Sequence, residues 1–302
     1  MRSSNRFAVA ASALLVYTIG VVLWGAYVRA SLSGDGCGDH WPLCNGVALP
    51  VDPSIKTLIE LTHRVTSGVC WIWTLVMWVV ALRSFERGHA TRSAAGWCLF
   101  FMTTEALVGA GLVLFRMVAD NPSNARAAWM SAHLINTFLL LAALTWMAFS
   151  AWQKDGARFS RDVWLRRVFG GAALAILLVG VSGAVAALGD TLFPASSLVE
   201  GIREDLSPTS HLFLRLRLWH PVIAVLGSGY LLWLATALLR RAPLAPVRSL
   251  GLTLGALVLL QIGVGLLNVA LLAPVWMQLL HLLIADATWI AVVLLALSSP
   301  PR

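Results

Sequence analysis

Long apolar segments separated by short polar ones run through almost the whole chain. A helix needs about 20 apolar residues to cross a bilayer. Eight segments approach or exceed that length: Phe7–Val28, Leu58–Leu82, Ser93–Phe115, Ala127–Trp152, Val168–Leu188, Leu218–Leu239, Ser249–Leu272 and Val275–Leu297. The first is too long for a signal-peptide core and lacks a clean small-residue cleavage site, so we expect it to be retained. The pattern predicts an all-α polytopic membrane protein with eight transmembrane helices.

Composition and charge agree with this pattern and orient it. The chain is 59% hydrophobic and 12% charged, which is not typical of a soluble domain. Fourteen of the 22 cations fall on the side that holds both termini: Arg2, Arg6, Arg83, Arg87, Arg92, Lys154, Arg158, Arg161, Arg166, Arg167, Arg240, Arg241, Arg248 and Arg302. Positive loops stay inside, so this side is predicted to be cytoplasmic. The formal charge of +8 therefore reflects topology, and no nucleic-acid partner is expected.

The first outer loop, residues 31–57, contains the segment GDGCGDHWPLCNG with Cys37 and Cys44. In an oxidising compartment such a pair most simply forms a disulfide, worth about 2–3 kcal/mol. A second interpretation is a dithiol that exchanges electrons near an active site. Both interpretations remain open, with the structural one favoured.

Four histidines occur near the outer ends of even-numbered spans. They are His63, His133, His220 and His281, in spans two, four, six and eight. A single intramembrane histidine is often only a hydrogen-bonded packing residue. Four at one depth indicate a shared purpose.

The histidines belong to an internal repeat, because similar motifs recur at a slowly declining offset. The offsets are 158 for Gly25 and Gly183, 157 for His63 and His220, 154 for the GAGL at Gly109 and the GVGL at Gly263, and 148 for His133 and His281. A duplicated unit with an even number of spans inserts twice in the same direction. We therefore predict two pseudo-symmetric four-helix bundles in parallel orientation, at residues 1–152 and 168–302, joined by a cytoplasmic linker at 153–167.

Two imidazoles that face each other across a bundle can bind haem iron as an axial pair. Zinc is less favoured because further protein ligands are missing. The halves differ before their first histidine, where Glu60 of one half corresponds to Arg217 of the other. A carboxylate there suggests proton handling, so we assign chemistry to the first half and a resident cofactor to the second. The alternative for Glu60 is an interfacial acid paired with Arg64 or Lys56.

Other charged residues lie within or beside the spans. Arg64 and Arg217 are candidates for haem propionate contacts, or else interface anchors. Asp286 is expected to make a structural hydrogen bond, because it is not on the face of His281. Glu105 is left without a role.

Together these residues resemble the bacterial form of the haem A synthase family. The motifs are WPLCNG, ELTHRVTSG, SAHLINTF, RLWHP and HLLIADATW, in the family's order across nearly the whole chain. The resemblance implies oxidation of a ring methyl of haem O to a formyl group, giving haem A for cytochrome oxidase. Some members have a second cysteine pair in the third outer loop, and residues 189–217 have none here.

The resemblance also implies roles for the residues. His63 and His133 would hold the substrate haem, His220 and His281 would ligate a haem b cofactor, and Glu60 would be the acid needed for turnover. Haem O synthase, an unidentified electron donor and a second copy of the chain are the expected partners. The expected location is the bacterial inner membrane, with both termini cytoplasmic.

Two other classes of protein compete with this interpretation. A di-haem b, quinol-oxidising electron-transfer subunit also needs two histidine pairs, but such proteins commonly place haems at both depths of the membrane. A transporter would explain the parallel repeat but not the paired histidines.

Overall fold

The computed structural model describes residues 2–241 and 245–299, with side chains from residue 5 onward. Arg302 and the side chain of Arg2, both assigned above to the cytoplasmic side, lie outside this description. The described residues form ten helices: α1 Arg2–Ala30, α2 Ile55–Ser84, α3 Ala90–Leu114, α4 Asn124–Trp152, α5 Val163–Leu192, α6 Leu198–Leu206, α7 Leu212–Arg217, α8 Trp219–Arg241, α9 Ala245–Ala270 and α10 Val275–Ser298.

Eight helical segments in the described part of the chain are long and apolar enough to cross a membrane. The predicted all-α, multi-pass class is therefore confirmed. The sixth span runs from Leu212 to Arg241 and contains both α7 and α8. It begins six residues before the predicted Leu218, because His211 caps α7 by accepting the backbone N–H of Phe213.

The eight long helices pack as two rings of four neighbours. In the first half, α1 contacts α2 and α4, and α3 contacts the same two helices. In the second half, α8 contacts α5 and α9, while α10 contacts the same two. These contacts are what two four-helix bundles require, while the pseudo-symmetry between them and the proposed domain bounds stay predictions.

Helices α4 and α10 lie at the centre, where the two rings meet. Their most apolar windows are 61% and 50% buried, against 22–28% for the other spans. Trp289 of α10 donates its indole N–H to the carbonyl oxygen of Phe138 in α4 at 2.7 Å. The outer helices therefore present most of their apolar surface to lipid, as expected where backbone polar groups are satisfied within each helix.

The short helix α6 was not predicted from the apolar pattern, because it is amphipathic and only nine residues long. Its sequence signal is a capping box, in which Ser197 accepts the backbone N–H of Glu200. This helix occupies the third outer loop, beside the beginning of the sixth span.

Candidate functional site

Each of the four histidines lies against a glycine of a neighbouring helix. A Cβ added to Gly25 would meet Cε1 of His63 at 2.9 Å, and one added to Gly183 would meet Cε1 of His220 at 3.0 Å. A Cβ added to Gly265 would lie 3.1 Å from Cε1 of His281, and one added to Gly109 would lie 3.7 Å from Cε1 of His133. The rings of His63, His220 and His281 therefore leave little or no room for a Cβ on the facing helix, whereas His133 is in ordinary van der Waals contact with Gly109.

These contacts correct the glycine alignment inferred from sequence. Gly263, which was matched to Gly109, has nothing within 4 Å of an added Cβ. The glycine under His281 is Gly265, and 265 minus 109 gives an offset of 156. The matching letters of GAGL and GVGL hid this shift, because both segments contain two glycines two residues apart. In the first half the other glycine, Gly111, lies against Trp129 instead.

In the second half the two histidines face each other. The ring centroids of His220 and His281 are 6.4 Å apart, with the ring planes 87° apart. Two imidazoles that each bind one metal atom at about 2.0–2.1 Å have centroids roughly 6 Å apart. The hydroxyl of Ser182 donates to the carbonyl oxygen of Val179 and lies 3.0 Å from Nδ1 of His220. It therefore accepts the Nδ1 proton, which leaves Nε2 of His220 free to bind a metal.

In the first half, His63 lies against Gly25 of α1 and His133 against Gly109 of α3. Nδ1 of His63, of His133 and of His281 has no hydrogen-bond partner within the described residues. No group of three or more His, Cys, Asp or Glu side chains suited to a metal occurs there either. A metal bound by either pair would therefore take its other ligands from outside the chain. Haem iron, which would bring four porphyrin nitrogens and could take one or two imidazoles from the chain, fits this donor set.

The carboxylate of Glu60 is buried beneath the first outer loop. Its Oε2 accepts the backbone N–H of Cys37 at 2.8 Å, and its Oε1 accepts Nε and Nη2 of Arg64 at 3.1 and 2.5 Å. Arg64 also donates through Nη1 to the carbonyl oxygens of His40 and Leu43, at 2.6 and 2.7 Å. The pair predicted as the alternative for Glu60 is thus formed, and it ties the loop to α2.

The loop itself is closed by a disulfide between Cys37 and Cys44, as expected. Its backbone approaches α2 so closely that a Cβ on Gly36 would lie 2.5 Å from the carbonyl carbon of Lys56. The hydroxyl of Thr57 donates to the carbonyl oxygen of Gly36 at 2.8 Å. The disulfide, the glycine and the buried ion pair therefore fix the loop over the end of α2 that carries His63.

Outside the membrane spans, the same loop is held by an exposed ion pair. Arg116 donates to Asp39, and this hydrogen bond together with the positive charge lowers the pKa of the Asp39 carboxyl below its usual value. The contact joins the first outer loop to the one between α3 and α4.

Arg217 of the second half makes a different ion-pair network. Its Nε and Nη2 donate to Asp205 at 3.0 and 2.6 Å, and its Nη1 donates to Asp190 at 2.6 Å. Asp205 belongs to α6 and Asp190 to α5, so the guanidinium ties the third outer loop to the bundle. Arg64 and Arg217 are both largely occupied in this way, and their predicted propionate contacts stay predictions.

The prediction that Asp286 makes a structural hydrogen bond is wrong. Neither carboxylate oxygen has a partner within the described residues, although the side chain is only 1% exposed. The nearby polar hydrogens are used elsewhere, since Thr288 donates to the carbonyl oxygen of Ile284 and Trp289 donates to that of Phe138. Sequence reasoning also passed over Ser182, and it left Glu105 without a role although that carboxylate lies close to His133.

The chain matches a family model and several known proteins. A family model described as COX15-CtaA, cytochrome oxidase assembly protein, matches residues 8–54 and 51–293. A protein of Bacillus cereus (strain AH187) named heme A synthase is 30% identical over 271 residues, covering 86% of this chain and 83% of its own length. One from Exiguobacterium sibiricum with the same name is 30% identical over 176 residues, 57% of each chain.

A longer protein of Thermus thermophilus also matches. It is named protoheme IX farnesyltransferase and is 46% identical over 303 residues, covering 99% of this chain but 49% of its own length. A second strain of the same species has a similar relative with the same name and coverage. The chain therefore spans about half the length of the Thermus relatives it matches.

Proposed function

Because this chain belongs to the COX15-CtaA family, the haem A synthases, we propose that it oxidises a ring methyl of haem O to a formyl group and so makes haem A. The observation that supports this most directly is the set of four histidines seated on four glycines, two in each ring of helices. The Bacillus relative that carries the haem A synthase name matches over most of its length. Haem O is the substrate in this proposal, and cytochrome oxidase is the destination of the product.

In this proposal the second half binds a resident haem b through His220 and His281. The 6.4 Å separation of their rings suits a shared iron atom, and Ser182 sets the tautomer of His220. Resident haem b would supply single-electron transfer when bound. The chain's own contribution is to hold two imidazoles at fixed positions in a site that Gly183 and Gly265 keep open.

The first half would hold the substrate haem between His63 and His133. The loop closed by Cys37 and Cys44 is tied to the end of α2 that carries His63. Glu60 is proposed as the catalytic acid, one helical turn from His63. Its pairing with Arg64 and with the Cys37 N–H also keeps the loop in place. Substitution of Cys37 distinguishes electron exchange by the Cys37–Cys44 pair from loop closure alone.

We further propose a bacterial inner-membrane location with both termini cytoplasmic, which the distribution of Lys and Arg supports. The histidines then lie in the outer half of the membrane. Haem O synthase as supplier of substrate and a membrane electron donor are the proposed partners.

Farnesyl transfer is a second candidate, favoured by the 46% identity to the Thermus relatives of that name. The chain matches only half of those proteins, and the activity named for the whole need not reside in this half. The Bacillus relatives, of comparable length to this chain, favour haem A synthesis.

Pigment analysis tests these proposals together. The chain is expressed in bacteria that lack their own haem A synthase and make haem O, then purified, and its haems are extracted and separated. We expect haem b together with haem O or haem A in the purified protein, and haem A in the membranes. Two equivalents of haem b alone, with no haem A, would indicate the di-haem electron-transfer subunit instead. Conversion of haem b to haem O on addition of farnesyl diphosphate would indicate the transferase.

A further inference from the structure

Glu105 of α3 lies behind His133 of α4. Its Oε1 is 3.4 Å from Nδ1 of that imidazole, within reach of the ring, while Nδ1 makes no hydrogen bond to any described residue, Glu105 included. Glu105 is one helical turn before Gly109, the glycine on which the same ring rests. One face of α3 thus supplies both the space for the imidazole and a carboxylate beside it.

The carboxylate is held in one orientation by its neighbours. Asn136 donates one amide N–H to the carbonyl oxygen of Phe101 at 2.9 Å and the other to Oε2 of Glu105 at 2.5 Å. The hydroxyl of Thr104 donates to Oδ1 of Asn136 at 2.7 Å, which fixes the amide in that orientation. Oε2 is therefore an acceptor, and Oε1 is left facing Thr137 and His133. An acid inside a membrane span is costly, and these contacts offset part of that cost.

The second half has a residue in the corresponding place, and it is neutral. Gln261 is one turn before Gly265, as Glu105 is before Gly109, and 261 minus 105 gives the same offset of 156. Its Nε2 lies 3.3 Å from Nε2 of His281, whereas Glu105 faces Nδ1, the other ring nitrogen, of His133. The third long helix of each half therefore presents a side chain to the histidine of the fourth, as a carboxylate in the first half and an amide in the second.

We propose that Glu105 is a positioning residue for His133: it accepts the Nδ1 proton, leaves Nε2 to bind iron, and biases that iron toward the ferric state. The second-half iron, beside neutral Gln261, lacks this bias. Carboxylates that accept the second imidazole proton of a metal-binding histidine fix the tautomer and raise the basicity of the ligand. Greater basicity and nearby negative charge both favour the higher oxidation state. This inference rests on the proposed function, since it requires haem between His63 and His133.

The test measures the midpoint potential of haem held by the first half alone. Full-length protein with His281→Ala is placed in lipid nanodiscs and loaded with haem b, so that only the first half offers two histidines. In this background, Glu105→Gln is expected to shift the ferric-to-ferrous preference at least about tenfold toward ferrous iron, a rise of about 59 mV for a one-electron couple. Glu86→Gln removes the same charge from an exposed cytoplasmic-loop position and is expected to leave the potential unchanged. Thermal unfolding of each variant checks that the fold is retained.

Each outcome decides the question. Equal midpoint potentials for Glu105 and Glu105→Gln, with haem bound, would overturn the role of Glu105 and leave the proposed function standing. If the first half binds no haem, and adding His63→Ala changes nothing, both the inference and the ligand assignment fail. If His281→Ala does not fold, the otherwise native chain is titrated in two steps. Glu105→Gln must then raise the midpoint potential of one step and leave that of the other unchanged.

Discussion

The two halves of the molecule carry opposite charges at one pair of positions that the sequence repeat matches. Glu60 and Arg217 occupy corresponding positions just before the first histidine of each half, and each forms a buried ion pair. The first ties a disulfide-closed loop to α2, whereas the second ties the amphipathic helix α6 to the bundle. Likewise Glu105 faces one histidine and Gln261 the other. The histidines and their glycines are repeated in both halves, whereas Glu60 and Glu105 have no acidic counterpart in the second half.

Replacing a histidine should give the largest difference in haem content between variants of the two halves. If haem b is held as proposed, His220→Ala is expected to abolish its retention, because one of the two proposed protein ligands is lost. His63→Ala should keep that haem and lose haem O and haem A. Optical spectra and haem extraction of the purified variants measure both effects. Loss of the same haem from both variants would break the comparison.

Replacing Glu60 should affect only the first half. Glu60→Gln keeps an oxygen that can accept the Cys37 N–H but removes the charge and the proton-transfer group. We expect haem A formation to fall roughly 100-fold, with the resident haem b spectrum unchanged. The exposed Glu200→Gln is the control. Normal haem A levels with Glu60→Gln, in cells without another synthase, would leave Glu60 as a loop anchor only.

The glycine contacts can be tested within a single helix. Gly265→Ala places a methyl group 3.1 Å from His281, whereas Gly263→Ala meets nothing within 4 Å. We expect Gly265→Ala to weaken haem b binding about 10–100-fold, as displaced ligand supports commonly do, and Gly263→Ala to leave it unchanged. Haem titration of the apoprotein gives both affinities. If Gly263→Ala weakened haem b binding and Gly265→Ala did not, Gly263 would be the counterpart of Gly109.

Opening the disulfide should loosen the first half and spare the second. Cys37→Ser removes a constraint worth about 2–3 kcal/mol, while the backbone N–H of residue 37 can still donate to Glu60. Limited proteolysis should cut residues 31–54 faster, and the resident haem should remain. Full haem A production by this variant would assign the cysteine pair to loop closure alone.

The smallest effect concerns the exposed pair of Asp39 and Arg116. Since Arg116 lowers the pKa of Asp39, the pair stabilises the folded loop above the unfolded pKa of about 3.9. This contribution disappears as the pH falls through the lower folded pKa. At neutral pH, Arg116→Ala should therefore be cut faster than the native chain in limited proteolysis with an acid-tolerant protease. The two rates should converge below that folded pKa, and a difference that persists there would exclude this pair as its cause.

Much of the molecule could be predicted from residues alone, because the bilayer imposes strong rules. Apolar runs of about 20 residues specify spanning helices wherever they occur. The histidines could be located because each lies near the outer end of a predicted span and recurs in the internal repeat. By contrast, α6 escaped the apolar pattern, since a short amphipathic helix at the surface has no such constraint.

The sequence by itself predicted the eight spans, located the four histidines, indicated the family and favoured a disulfide between Cys37 and Cys44 without excluding a redox dithiol. Only the tertiary structure decided which side chains meet. It paired Gly265 rather than Gly263 with His281, seated Glu60 on the Cys37 N–H, placed Glu105 behind His133 and left Asp286 without a partner among the described residues. The physical reason is that spanning depends on the composition of one helix, which is local. Contacts between helices depend on rotation and axial shift, and a change of two residues turns a side chain about 200° around its helix.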